Sequence, residues 1–143
     1  MSPSAQFTTA EIAKRFLLAG NARVTLVSLK TGVRFTYRVF QRDEKGPHFV
    51  SLLTGPDNTA SYTFLGTIFE GKGYRHGRKS PLNDDSPSAK AWAWAWSYLA
   101  KGDMPPSCEV WHEGRCGRCG RLLTVPESIS TGLGPICEGR EAV

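Results

Sequence analysis

Two closely spaced cysteines, followed by a third, constrain this chain more than any other feature of its sequence. Cys116 and Cys119 form a C-x-x-C motif, and Cys137 follows after 17 intervening residues. Gly117 and Gly120 allow the backbone to curl so that its amides point at the sulfur atoms. Cysteine thiolates at such spacings are typical of structural zinc sites. We therefore predict one structural zinc ion bound by the three cysteines.

A tetrahedral zinc ion needs a fourth ligand, and two upstream residues qualify. His112 precedes the motif by four residues, in a segment that the sequence predicts to be extended. Cys108 lies further back, just after Pro105-Pro106, and would need a longer reach. The spacing favours His112, with Cys108 as the alternative.

The N-terminal residues indicate the compartment of the protein, which decides between metal-binding and disulfide-bonded cysteines. Residues 1–9 lack the basic start and apolar run of a secretory signal, and no segment is long and apolar enough to span a membrane. We therefore expect a cytoplasmic protein without a membrane partner. In a reducing cytoplasm, close-set cysteines are metal ligands more often than disulfides. A redox C-x-x-C would need a βαβ setting, which the flanking sequence does not indicate.

The residues before the cysteines have the pattern of an α+β fold. Thr8-x-x-Glu11 is a capping-box sequence, which predicts a helix over residues 8–19. Residues 22–69 contain four segments of alternating apolar and polar residues separated by turn signals, which predict a four-stranded antiparallel meander. Residues 71–85 are predicted to form a loop.

A second helix is predicted over residues 87–101. Ser86 is a favourable N-cap, Pro87 suits the first helical position, and Gly102 ends the segment. At helical spacing Trp92 and Trp96 share one face, and Trp94 shares another with Tyr98. We predict that all three tryptophans belong to the core, with a partner-binding surface as the alternative.

These patterns predict two parts. Residues 1–105 would form the α+β body, in which the meander is flanked by the two helices. Residues 106–143 would form a treble-clef-like or ribbon-like zinc module. The chain is 40% hydrophobic, which is enough apolar material for the body to bury its own core.

Basic residues indicate a possible partner. The net charge is +5 and the isoelectric point about 9.2, which is compatible with nucleic acid. One basic group recurs every third residue through the cysteine motif, and a second lies in the predicted loop beside Tyr74 and His76. The alternative is that these side chains are merely solvated or paired with nearby glutamates. The candidate phosphate contacts are Arg115, Arg118, Arg121, Lys72, Arg75, Arg78 and Lys79.

The segment from Cys116 to Cys137 also resembles a known short domain. It contains every anchor of the pattern C-G-x-C-G-R-x-L-T-x-P-x-S-I-x-x-G-x-G-P-x-C. This pattern is similar to a domain of unknown function that recurs in bacteriophage and in actinobacterial or proteobacterial proteins. The whole layout resembles uncharacterised small phage or prophage proteins. The resemblance implies a zinc-binding module and no particular activity.

The sequence therefore predicts a small zinc-binding, phage-encoded protein that binds nucleic acid. The alternative is a protein-interaction module that binds and modulates a host protein, such as a polymerase or a defence complex. An enzyme is the least supported class. Gly73 to Ser80 lacks the spacing of a phosphate-binding loop, and His112-Glu113 does not meet the H-E-x-x-H or deaminase patterns. No small-molecule substrate is indicated.

Overall fold

The computed structural model describes residues 5–56, 61–123, 129 and 131–134. These residues form seven strands and two helices. The strands are β1 (Gln6–Phe7), β2 (Asn21–Ser28), β3 (Arg34–Gln41), β4 (His48–Leu53), β5 (Tyr62–Phe69), β6 (Gly73–His76) and β7 (Cys108–His112). The helices are α1 (Ala10–Leu17) and α2 (Pro87–Leu99).

All seven strands form one antiparallel sheet, in the order β1-β7-β2-β3-β4-β5-β6. The prediction of a four-stranded meander is therefore wrong. The four predicted strands are present as β2 to β5, and three further strands extend the sheet at both ends. β6 lies within the predicted loop of residues 71–85 and continues the meander at one edge. β7 returns from the far end of the chain and inserts between β1 and β2.

Alternating side chains give the sheet one core face. In β2, Ala22, Val24 and Leu26 are buried, while the residues between them point to the opposite face. Both helices pack on the core side. Phe16 of α1 and Trp92 of α2 are fully buried in the same cluster as Val24. The large helical side chains therefore cover one face of the sheet.

The two helices differ in how well the sequence defines their ends. In α2, the Ser86 side chain accepts a hydrogen bond from the Ala89 amide and Pro87 occupies the first turn, as predicted. Trp92 and Trp96 are buried with their rings stacked at 6.1 Å, which confirms their place in the core. Trp94 is 41% exposed, so its predicted place in the core is wrong. In α1, the N-cap is Thr9 and its side chain makes no capping hydrogen bond, so the predicted capping box does not form.

The C-terminal segment is joined to the body through the sheet. Because β7 lies between β1 and β2, the predicted boundary after residue 105 separates strands of one sheet. Among the described residues, no three His, Cys, Asp or Glu side chains lie together as a metal-binding group. The predicted body plus separate treble-clef-like or ribbon-like zinc module is therefore wrong as a description of this fold.

Candidate metal and nucleic-acid site

The C-x-x-C motif forms the tip of a short hairpin that follows β7. The Leu123 amide donates to the Gly114 carbonyl at 2.8 Å, and the Cys116 amide donates to the Arg121 carbonyl at 2.8 Å. The Gly120 amide then closes the tip by donating to the Cys116 carbonyl at 3.0 Å. Gly120 has φ of +78°, a conformation that favours glycine. The hairpin therefore holds the motif in a compact turn.

This hairpin packs directly on the body. The Gly117 carbonyl accepts a hydrogen bond from the Asn21 amide at 2.7 Å, and the Gly117 amide donates to the Gly132 carbonyl at 2.8 Å. A Cβ on Gly117 would lie 2.6 Å from the Phe16 ring, so the close approach to α1 requires glycine here. The start of β2 and the α1 core together position the tip.

The sulfur of Cys116 is surrounded by backbone donors. The side chain is buried, and the Arg118 amide lies 3.4 Å from its sulfur. Burial opposes ionisation, but hydrogen bonds from the backbone N–H groups of Cys119, Gly134 and Arg118 and from the Cys119 side chain together outweigh it and lower the pKa of Cys116 to about 7. Cys119 is exposed at the same tip. The turn therefore favours the thiolate form that zinc binds.

The third predicted zinc ligand, Cys137, lies outside the described residues. A zinc site of three cysteines therefore stays a prediction.

His112, the predicted fourth ligand, is enclosed by protein. Its side chain is 1% exposed and lies between the rings of Phe7 and Phe16, at centroid distances of 5.4 and 5.7 Å. Its Nδ1 accepts the Gly114 amide at 2.9 Å, and its Nε2–H donates to the Ile129 carbonyl. Burial lowers the pKa of His112, and the bond to Ile129 opposes this only in part, so the ring is neutral.

Both ring nitrogens of His112 thus have protein partners. Metal binding would require one of these hydrogen bonds to break, because a nitrogen that ligates zinc must offer a free lone pair. His112 as the fourth zinc ligand stays a prediction, and it requires that one of these two hydrogen bonds break.

Cys108, the alternative ligand, lies at the other end of the sheet. It pairs with Ser28 at the end of β2, whereas the hairpin contacts Asn21 at the start of the same strand. A rise of about 3.3 Å per residue separates those positions by roughly 23 Å. Cys108 is therefore too far from Cys116 to share a metal ion with it in this arrangement. Burial raises the pKa of Cys108, which favours the protonated thiol.

The three hairpin arginines are all exposed, but they have different neighbours. The Arg115 guanidinium donates to the Gly120 carbonyl at 3.2 Å and so braces the tip. Arg118 lines a shallow cleft of about 770 Å³ between the hairpin, α1 and the end of β3. Two further arginines, Arg15 and Arg42, line the same cleft, and among its described lining residues Glu44 is the single acidic one. We call the group formed by Arg15, Arg42 and Arg118 the basic cleft.

The second predicted basic group lies elsewhere. Lys72, Arg75, Arg78 and Lys79 are exposed along and beside the edge strand β6. Four strand spacings separate β6 from β2, roughly 19 Å at about 4.8 Å per strand. The two predicted groups therefore do not form one cluster.

Sequence reasoning missed Arg15 and Arg42. Arg15 is in the last turn of α1 and Arg42 directly follows β3, so they are distant in sequence from the cysteine motif. The sequence offered only a weak signal for these two residues, namely that each basic residue lies where a helix or strand ends.

Comparisons with known proteins identify a family only for the C-terminal segment. Residues 111–142 are similar to a family of unknown function, DUF6011. The match includes the hairpin and Cys137 but leaves out both helices and the meander. It is consistent with an uncharacterised small protein and shows neither zinc binding nor a phage source. No curated protein matches the chain, and no solved structure does.

In the part of the chain that the structure describes, neither helix has the length and apolar character needed to cross a bilayer.

Proposed function

We propose that this protein binds one zinc ion at the hairpin tip and contacts the phosphates of a nucleic acid through the basic cleft. The observation that supports both halves is that a single turn holds Cys116 and Cys119 and also places Arg118 in the cleft. A metal-fixed tip would hold that arginine in place for its ligand. The proposal includes a phage source and assigns no catalytic activity.

The metal half rests on the surroundings of Cys116. Backbone N–H groups aimed at a buried sulfur stabilise a thiolate, and a thiolate pair is half of a structural zinc site. The Gly134 amide lies at that sulfur, and Cys137 is three residues further along the chain. Three residues span at most about 11 Å, so chain connectivity allows Cys137 to complete the site. Zinc would supply structural cross-linking of the hairpin to the segment that follows it.

The phosphate half rests on charge. Among the described residues that line the cleft, three guanidinium groups against one carboxylate leave an excess of positive charge. Arginine binds phosphate oxygens in a bidentate geometry that lysine cannot match. Gly117, next to Arg118, accepts a hydrogen bond from the Asn21 amide and donates one to the Gly132 carbonyl, so the fold sets the backbone position of this arginine.

A pair of matched variants tests this function. Arg118→Ala removes a guanidinium from the cleft, whereas Arg121→Ala removes one from the same hairpin but outside the cleft. In salt titrations against DNA and RNA, Arg118→Ala should lower affinity and reduce the log–log salt slope by about one. Arg121→Ala should change both less.

Elemental analysis of protein purified without chelators should find about one zinc per chain. Absence of zinc would refute the metal half. Absence of any binding at ~50 mM salt, where phosphate contacts are strongest, would refute the nucleic-acid half.

A second candidate, a protein-interaction module, is favoured by an apolar groove. The groove has a volume of about 400 Å³ and lies between α2 and the β2–β3 hairpin, where Val33, Phe35 and Trp94 line it. Trp94 is 41% exposed, whereas Trp92 and Trp96 on the same helix are buried. Exposed apolar surface of this kind often marks a protein partner. A host protein captured from lysate after nuclease treatment, and lost with Trp94→Ala, would favour this candidate.

A further inference from the structure

The sheet has a second face that the two helices do not cover. Residues on this face alternate with core residues along each strand, as Arg38 does between the fully buried Tyr37 and Val39. Among the described residues, both helices pack on the opposite side. We call this second surface the open face. Its cationic and aromatic members include Arg23, Arg38, Phe40, Phe49, Tyr62, Phe64, Arg75 and Trp111.

Aromatic rings occupy the middle of the open face. Phe40 on β3 and Phe49 on β4 are register partners, and Phe49 meets Phe64 of β5 at a centroid distance of 6.4 Å. All three rings are half-buried. The exposed parts of these rings are apolar, and a ligand that covered them would bury that area favourably.

Guanidinium groups lie among these rings. The Arg38 guanidinium sits over the Phe40 ring at 4.6 Å, and its Nε donates to the Asn21 side chain at 3.1 Å. Arg23 is directly opposite Arg38 on the neighbouring strand. Its side chain is hydrogen-bonded to Tyr62, near Glu113, whereas its buried Nε has no hydrogen-bond partner. Like charges directly opposite each other are unfavourable in a sheet, so an anionic ligand at this pair would add to the favourable charge that the nearby Glu113 carboxylate supplies.

The open face is continuous with the basic cleft. Asn21 and Phe40 line the cleft and also begin a row of register partners across the sheet. From Phe40 the row runs through Phe49 and Thr67 to Arg75 on the edge strand. This row connects Arg118 to the second basic group along one surface.

We propose that the open face stacks the unpaired bases of a single-stranded nucleic acid whose phosphates lie in the basic cleft and along β6. This inference rests on the proposed function and names its ligand class. Every base has a π-face, so aromatic rings and guanidinium planes accept successive bases with little sequence preference. In a duplex those base faces are covered by stacking, and the rings would have nothing to bind.

The test compares three labelled probes by fluorescence anisotropy with the full chain. The probes are an oligothymidylate of about 12 nucleotides, an abasic oligomer of equal length, and a duplex. The oligothymidylate should bind about 5- to 100-fold more tightly than the abasic oligomer, because only it can stack. Phe49→Leu should lower oligothymidylate affinity within that range and leave abasic binding unchanged. Trp94→Leu, on the far side of the molecule, is the matched control and should alter neither.

The outcomes separate the two ideas. If the abasic oligomer and the duplex bind as tightly as the oligothymidylate, base stacking on the open face is overturned while phosphate binding in the cleft stands. If no probe binds, the nucleic-acid half of the proposed function fails and this inference fails with it. The probe comparison uses the wild-type protein, so a variant that folds poorly does not leave the inference untested.

Discussion

The contact between Gly117 and α1 allows a quantitative prediction for Gly117→Ala. The new Cβ would lie 2.6 Å from Phe16 Cδ1 and 2.9 Å from the Phe16 carbonyl oxygen. Ordinary contacts begin near 3.4 Å, so one partner must move by several tenths of an ångström. Phe16 is fully buried between Phe7 and His112, at ring distances of 5.1 and 5.7 Å, and has no room to move.

The hairpin must therefore move instead. That displacement strains the two hydrogen bonds of Gly117, to Asn21 and to Gly132. Overpacking of this kind costs about 1–3 kcal/mol, and a weakened hydrogen bond about 0.5–1.5 kcal/mol. We expect a loss of about 2–3 kcal/mol in the free energy of unfolding. For a chain of this length, that corresponds to a fall of about 5–10 °C in Tm.

Urea and thermal denaturation followed by circular dichroism measure this loss. Gly73→Ala is the matched control, because a Cβ there meets nothing within 4 Å and its φ is not in the left-handed region. We expect the control to change stability by less than about 0.5 kcal/mol. If Gly117→Ala is as stable as the wild type, then the hairpin does not pack on α1 as described.

Three further predictions concern the metal, the domain boundary and pH. Cys116→Ser should lose the bound zinc and Cys108→Ser should keep it, as measured by elemental analysis, because Cys108 lies at the far end of the sheet. A fragment of residues 1–105 lacks β7 and should show no cooperative thermal transition, whereas a folded fragment would establish an independent domain. In zinc-free protein, stability should fall as pH drops below about 6.5, by up to about 1.4 kcal/mol per pH unit, because the buried, neutral His112 binds its proton more readily when unfolded. His112→Gln should remove that slope, and an unchanged slope would assign it to another group.

The sequence by itself determined the elements whose signals are local. Helix α2 is marked by Ser86 and Pro87, and strands β2 to β5 by alternation and turns, because capping and pleat periodicity act over a few residues. The tight turn around the cysteine motif could be predicted for the same reason, since Gly120 lies within it. The short strand β6 was missed because four exposed-edge residues contain too little alternation to detect.

Only the tertiary structure decided how distant segments combine. The insertion of β7 beside β2 pairs residues eighty or more positions apart, and no local pattern specifies such a partner. That pairing buries His112 between Phe7 and Phe16 and brings its ring nitrogens to Gly114 and Ile129. It also brings the hairpin to the start of β2, which places Arg118 beside Arg15 and Arg42. Residue types and short spacings indicated candidate ligands, but which of them meet depends on strand order, because the sheet sets the distances between side chains from separate parts of the chain.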